Sequence, residues 1–391
     1  MLSVTAGRAA LGVGFLSMLG LAPKAHAEDA PAIDWGLAYK ADVAGALSGG
    51  GAHAGRYLDN IDLTADVSLE RALDWRGAQL HAHVLSNSGG APNDVAETLQ
   101  GIDNIEVSRP RAKLYEFWIE QNFASDRGSA LLGLYDLNSE FYQSETAGLL
   151  IAPAFGIGSE LAATGPNGPS IFPSTALALR LRWSLSRAQH VQAAIINASA
   201  GVVGDPDGVD TSFDDGALMI GEWARGGDVR VKLGVWRYSR RQDDIRDVNA
   251  LGAPAKRAAE GAYASIEAPL WNEDVRAVAG FARIGFADGD TTPYSGGWQA
   301  GLLVTRVFEA RPDSAFSIGL NQGFLGAKFR ANARDSGIDA ANAESAVELT
   351  YADKLGEHLT LQPDLQFVRN PGGDRARSDV VAAALRVGLE F

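Results

Sequence analysis

The side chains in this 391-residue sequence with chemistry to offer are carboxylates, guanidiniums and an aromatic placed two residues apart. Glu116, Trp118 and Glu120 alternate with Tyr115, Phe117 and Ile119, and Arg180 and Arg182 repeat the spacing. On a strand, such residues share one face. Asp136, Asn138 and Glu140 stand where a long connector begins. Fixed donors and acceptors beside an aromatic platform suit a sugar, which presents hydroxyl edges and weakly apolar C–H faces. Glu116, Trp118, Asp136, Asn138, Glu140, Arg180 and Arg182 are therefore expected to line a constriction.

Other chemistries find less support. Hydrolysis requires a nucleophile and a base, yet none of the six histidines sits in a G-x-S-x-G setting, so no enzyme is expected. There is no cysteine for a disulfide or a thiolate metal site. His81 and His83 share a strand face, but with no carboxylate near in sequence they read as wall residues, and neither metal nor cofactor is expected. Asp205 to Asp210 reads as a turn and Gly49-Gly50-Gly51 as a loop. A net charge of −14 disfavours nucleic acid.

Strands must position these groups. The last twelve residues alternate without a break: Val381, Ala383, Leu385, Val387, Leu389 and Phe391 on one face, with Arg386 and Glu390 on the other. Strands are predicted at 35–45, 58–70, 77–86, 113–122, 129–136, 175–186, 189–198 and 216–224, then at 228–239, 259–267, 275–286, 296–307, 314–324, 344–354, 357–368 and 379–391. Connectors after even-numbered strands are short, and most others are long. Sixteen strands with this rhythm describe an all-β, up-and-down antiparallel transmembrane β-barrel with long outer loops and short periplasmic turns. No mature segment has the 18 or more apolar residues of a membrane helix, as expected when every second residue faces away from lipid. Charge collects on the inner faces because Arg or Lys facing lipid at the midplane costs about 2–4 kcal/mol. Trp35, Tyr39, Trp75, Trp271, Trp298, Phe308 and Phe391 fall near strand ends and read as interfacial girdles.

Residues 1–27 read as a cleaved signal peptide: Arg8, the apolar run Ala9 to Ala22, and the cleavage form Ala25-His26-Ala27. Residues 28–391 then form one barrel domain of formal charge −16, exported through the periplasm to the outer membrane. The connector Leu137 to Ser174 is too apolar to wave in water and is expected to fold against the inner wall. Glu140, Glu145 and Glu160 would then face Arg180 and Arg182 across the channel as poles of a transverse field.

Several blocks of sequence carry a family resemblance. They are Leu114-Tyr115-Glu116-Phe117-Trp118, the run Gly133 to Phe141, Phe155-Gly156, Phe281-Ala282-Arg283-Ile284-Gly285, Arg311-Pro312-Asp313 and Glu348-Leu349-Thr350-Tyr351. The most specific is Leu361-Gln362-Pro363-Asp364-Leu365-Gln366-Phe367 followed by Asn370-Pro371-Gly372-Gly373. Together they resemble the carbohydrate-selective porins of the OprB type, from Trp35 to Phe391. The family often has Tyr at Phe367 and at Phe172. The resemblance implies a sixteen-stranded barrel through which monosaccharides such as glucose diffuse, a monomer or a trimer in contact with outer-membrane lipid. Phe391 would be the point read by the barrel insertion machinery. The competing expectation is a general or anion-selective porin with a cationic ladder of Arg180, Arg182, Arg230, Lys232, Arg283 and Arg386.

Overall fold

A chain of two-faced strands leaves unpaired N–H and C=O groups at each end of the sheet, and in lipid only closure removes both edges. The computed structural model, which describes residues 31–205, 207–272 and 275–391, closes in this way. The signal-peptide expectation lies outside the described residues.

The first half of the barrel comprises β1 (Ile33–Ser48), β2 (Gly55–Ser68), β3 (Ala78–Gly89), β4 (Arg111–Phe123), β5 (Gly128–Tyr135), β6 (Ala176–Ser186), β7 (Gln189–Asn197) and β8 (Ala217–Arg225). After β9 (Arg230–Tyr238) comes a hairpin, β10 (Gln242–Val248) and β11 (Pro254–Arg257), that stands outside the barrel sheet. The barrel resumes with β12 (Glu260–Asn272), β13 (Ala277–Ala287), β14 (Tyr294–Thr305), β15 (Ala315–Leu325), β16 (Ala343–Leu355), β17 (Leu359–Arg369) and β18 (Val380–Glu390). Neighbours pair antiparallel, and β1 meets β18 with Asp42 opposite Arg386 and Val43 opposite Leu385. The barrel therefore has sixteen strands, as the alternation predicts. The sequence reading missed the hairpin and the helix α1 (Ala327–Asp335), both in long loops.

Outer faces are apolar, as in β6, where Leu179, Leu181, Trp183 and Leu185 are all exposed. Asp59 departs from this pattern. It pairs with Ala41 on the outer face, where the hydroxyls of Tyr57 and Ser88 each reach it at 2.7 Å and supply the partners lipid lacks. Trp35, Trp75, Trp271, Phe308 and Phe391 are exposed at the end carrying the short turns. Trp298 instead lies within β14 and donates to Gln322 at 3.1 Å. Near Met219 and Phe281 both faces of the strand are apolar because long loops cover the inner one: Leu218 and Ile220 are buried inside, and Phe281 packs edge-on against Phe155.

Candidate pore constriction

A loop inside a barrel has backbone N–H groups that no ladder satisfies, so the wall must supply acceptors. Three lumenal carboxylates do so for the loop between β5 and β6. Glu222 on β8 accepts from Tyr142 N at 3.1 Å, Glu267 on β12 from Thr146 N at 2.8 Å, and Glu348 on β16 from Ile151 N and Ala152 N. Arg283 on β13 works in the opposite sense, donating to the carbonyls of Tyr142, Ala154, Phe155 and Gly156 at 2.6–3.3 Å. Gln362 on β17 donates to Leu149 O at 2.6 Å. The loop thus follows the inner wall from β8 to β17, as its apolar composition predicts.

A second inward loop was not predicted. Residues 90–110, between β3 and β4, dock on β16, β17 and β18: Glu344 accepts from Leu99 N and Gln100 N, Gln366 donates to Ile102 O, and Arg386 reaches Asp103 and Asn104. Its apolar members Val95, Ala96, Ile102, Ile105 and Val107 are buried. They were the available sign, weaker than in the longer loop.

The predicted constriction residues come together at the base of the 136–175 loop. Glu116 Oε1 accepts from Trp118 Nε1 at 3.2 Å and from Asp136 N at 3.1 Å. Asp136 caps the 3-10 turn Leu137–Ser139 and accepts from Tyr115 Oη at 2.6 Å. Burial, with Glu116 beside it, pushes the Asp136 carboxyl up to about 7. Asn138 donates to the carbonyls of Phe141 and Gly156. Glu140 grips Arg180 through both oxygens at 2.7 and 2.8 Å and accepts from Tyr135 Oη at 2.6 Å. Arg180 also meets Glu120 at 2.9 Å, and its side chain is 2% exposed. Arg182 is the loosest of the set, 41% exposed, 3.8 Å from Glu140 and 3.4 Å from His190.

Three expectations do not hold in the structure. Tyr115 points inward with Glu116, because a β-bulge opposite His83 and Val84 puts two successive residues on one side. Trp118 faces the interior but is not an open platform, since its ring stacks on His81 at 4.9 Å and is 7% exposed. The transverse field is absent: Glu140 touches Arg180, Glu145 touches Arg230 at 2.5 Å, and Glu160 is buried against Tyr142 Oη at 2.7 Å. The pairing removes separated poles.

The chain's sequence matches the family model "Carbohydrate-selective porin, OprB family" over residues 52–391. The chain belongs to that family. This OprB-family porin is a non-enzymatic channel through which carbohydrates diffuse across the outer membrane. Porin B of Pseudomonas aeruginosa is 21% identical, over 96% of each chain. Pseudomonas putida OprB in its high-pH structure superposes with a TM-score of 0.82 at 21% identity, over 92% of this chain and 94% of that one. An anion-selective porin from Comamonas acidovorans scores 0.56 at 12% identity, over 92% and 99%. These structures share the barrel fold.

In this porin four of the six cations of the supposed ladder face carboxylates. Arg180 and Arg182 face Glu140, and Arg230 faces Glu145 and Glu267. Lys232 donates to Gln143 O at 2.9 Å, Arg283 to loop carbonyls, and Arg386 to Asp42 at 2.6 Å. Lys232 and Arg283 keep their charge, but their donors are taken up by the loop, so these six do not form a continuous row of unpaired cations. The sequence reading also missed the anchoring role of Glu222, Glu267, Glu344 and Glu348. Their signal was present as carboxylates on the inner faces of strands.

Proposed function

We propose that small neutral sugars of monosaccharide size, glucose among them, pass along the inner wall of β1 to β6 where the docked loops leave Lys40, Asp62, Asp66, Glu120 and Arg182 partly exposed, through a water-filled channel. The observation that carries this is graded exposure. On that wall the side chains of Arg182 and Asp66 are 41% and 33% exposed, whereas Glu267 and Glu348, beneath the longer loop, are 3% and 0% exposed. Lys40 and Asp62 at 3.7 Å, with Glu120 and Glu140, add donors and acceptors of both signs along the same wall. Paired charges of opposite sign hold a polyol by hydrogen bonds while presenting little net field to an ion. Asn138, Glu140 and Arg182 serve as polar contacts in this reading, and Glu116, Trp118, Asp136 and Arg180 hold them in place.

A liposome-swelling assay tests it. Arg182→Ala removes one flexible donor worth about 1 kcal/mol, so glucose entry relative to ion conductance is expected to fall roughly fivefold. Unchanged glucose entry and conductance in both Arg182→Ala and Trp118→Ala would refute the path.

The same reading makes Phe391 the assembly signal. Its ring is exposed and stacked on His358 at 4.9 Å, and its backbone exchanges two hydrogen bonds with Leu37, so the aromatic is presented from a fixed position beside β1. Deleting Phe391 is expected to cut severalfold the yield of heat-modifiable barrel in the outer membrane. Normal yield would refute that role.

A further inference from the structure

The sequence offered His81 and His83 without a neighbouring carboxylate, and the fold overturns that premise. The bulge on β4 turns Glu116 inward directly opposite His83. One ligand atom from each of His81, His83 and Glu116 lies within 4.8 Å of the others. Two further carboxylates stand behind the imidazoles: Asp66 Oδ1 is 2.8 Å from His81 Nδ1, and Asp62 Oδ1 is 2.9 Å from His83 Nε2. A carboxylate on the far nitrogen of each ring fixes the tautomer and raises the basicity of the near one, which is how metal-bound histidines are supported. The nitrogens left over are His81 Nε2 and His83 Nδ1.

Glu116 is prepared in the same way. Its Oε1 is taken by Trp118 Nε1 and Asp136 N, so Oε2 is the oxygen turned toward His83 Nδ1, at 3.9 Å. That gap is too long for a hydrogen bond. It is close to the roughly 3.4 Å that separates two ligands each about 2.1 Å from a tetrahedral zinc ion. Stacking of Trp118 on His81 holds the first ring, and His81 and Glu116 are both buried.

We propose that His81 Nε2, His83 Nδ1 and Glu116 Oε2 bind one divalent ion of the zinc class, with a fourth position open to lumenal water. Two neutral imidazoles and one carboxylate are the ligand set of open zinc sites, and they suit a borderline metal better than the hard magnesium or calcium ions. The bound ion would tie β3 to β4 and add positive charge to the wall beside Trp118.

The test uses the folded, untagged porin in detergent, stripped with chelator and titrated with ZnCl2 by calorimetry and with CoCl2 by visible absorption. One equivalent of zinc and a cobalt spectrum with nitrogen ligation are expected from the wild-type chain. His81→Gln, His83→Gln and Glu116→Gln, each checked for heat-modifiable migration, should weaken binding more than tenfold. Asp66→Asn, which touches only the supporting shell, should weaken it 10- to 100-fold. His190→Gln should leave it unchanged. Absence of zinc binding by the wild type would overturn the proposal and leave the hydrogen bonds of His81 to Asp66 and His83 to Asp62 as the reason for the cluster. Binding that survives all three ligand substitutions would overturn it too. Neither result bears on sugar passage, which the calorimeter does not read.

Discussion

Arg386→Ala is expected to weaken both the closing seam of the barrel and the docking of the 90–110 loop. The guanidinium spans Asp42 on β1 at 2.6–3.0 Å and Asn104 in the loop at 2.7 Å, with Asp103 at 3.5 Å. The side chains of Asp42 and Asp103 are both 0% exposed. Truncation strands two buried carboxylates without a counter-charge, which costs roughly 3–5 kcal/mol. The temperature at which the folded band converts to the unfolded one on a gel should drop, and single-channel conductance should rise as the loop loosens. Arg386→Lys should recover only part of the loss, because an ammonium cannot fork across Asp42 while reaching Asn104. Adding Asp42→Asn to Arg386→Ala should also recover part, since one stranded charge is gone. Wild-type unfolding temperature and conductance in Arg386→Ala would show that the seam does not depend on this pair.

Arg283→Ala should leave the barrel closed but free the longer loop from the wall. Arg283 is buried and donates to four loop carbonyls, so its removal orphans the buried acceptors of Tyr142, Ala154 and Phe155 while the loop stays docked. Hydrogen bonds from a charged donor are each worth about 1.5–3 kcal/mol, and even with strong non-additivity the docked state should lose several kcal/mol. Ion conductance is expected to increase severalfold and discrimination among sugars to fall, with heat modifiability retained. Arg283→Lys would restore the charge but reach fewer carbonyls. Unchanged conductance in Arg283→Ala would mean that Glu222, Glu267, Glu348 and the Phe155–Phe281 contact suffice to hold the loop.

The architecture was largely legible in the sequence because a barrel strand reports its two faces at every second residue. The seam could be read in the same way: Arg386 sits on the charged face of the final strand, opposite the apolar face that ends in Leu389. Two features left no local mark. The bulge that turns Tyr115 and Glu116 to the same side is a one-residue slip, and nothing in Leu114-Tyr115-Glu116 distinguishes it from regular alternation. Pairings across long separations, such as Arg283 with the carbonyls around Phe155, depend on where a loop lands after the barrel closes. For the same reason Glu140 and Arg180 were expected as opposite poles and are in contact. Residue type and face were readable, but the partner was not. The 90–110 loop escaped because its buried apolar residues are few and scattered, unlike the dense run from Leu149 to Phe155.

We propose that the path past the two docked loops selects small neutral sugars rather than ions. Ion current through single channels in a planar bilayer, recorded while sugars of increasing size are added, tests it most directly. Monosaccharides should reduce the current in a saturable, concentration-dependent way, trisaccharides should not, and a salt gradient should give a reversal potential near zero. Current indifferent to every sugar, together with a strongly anion-selective reversal potential, would show an anion channel instead.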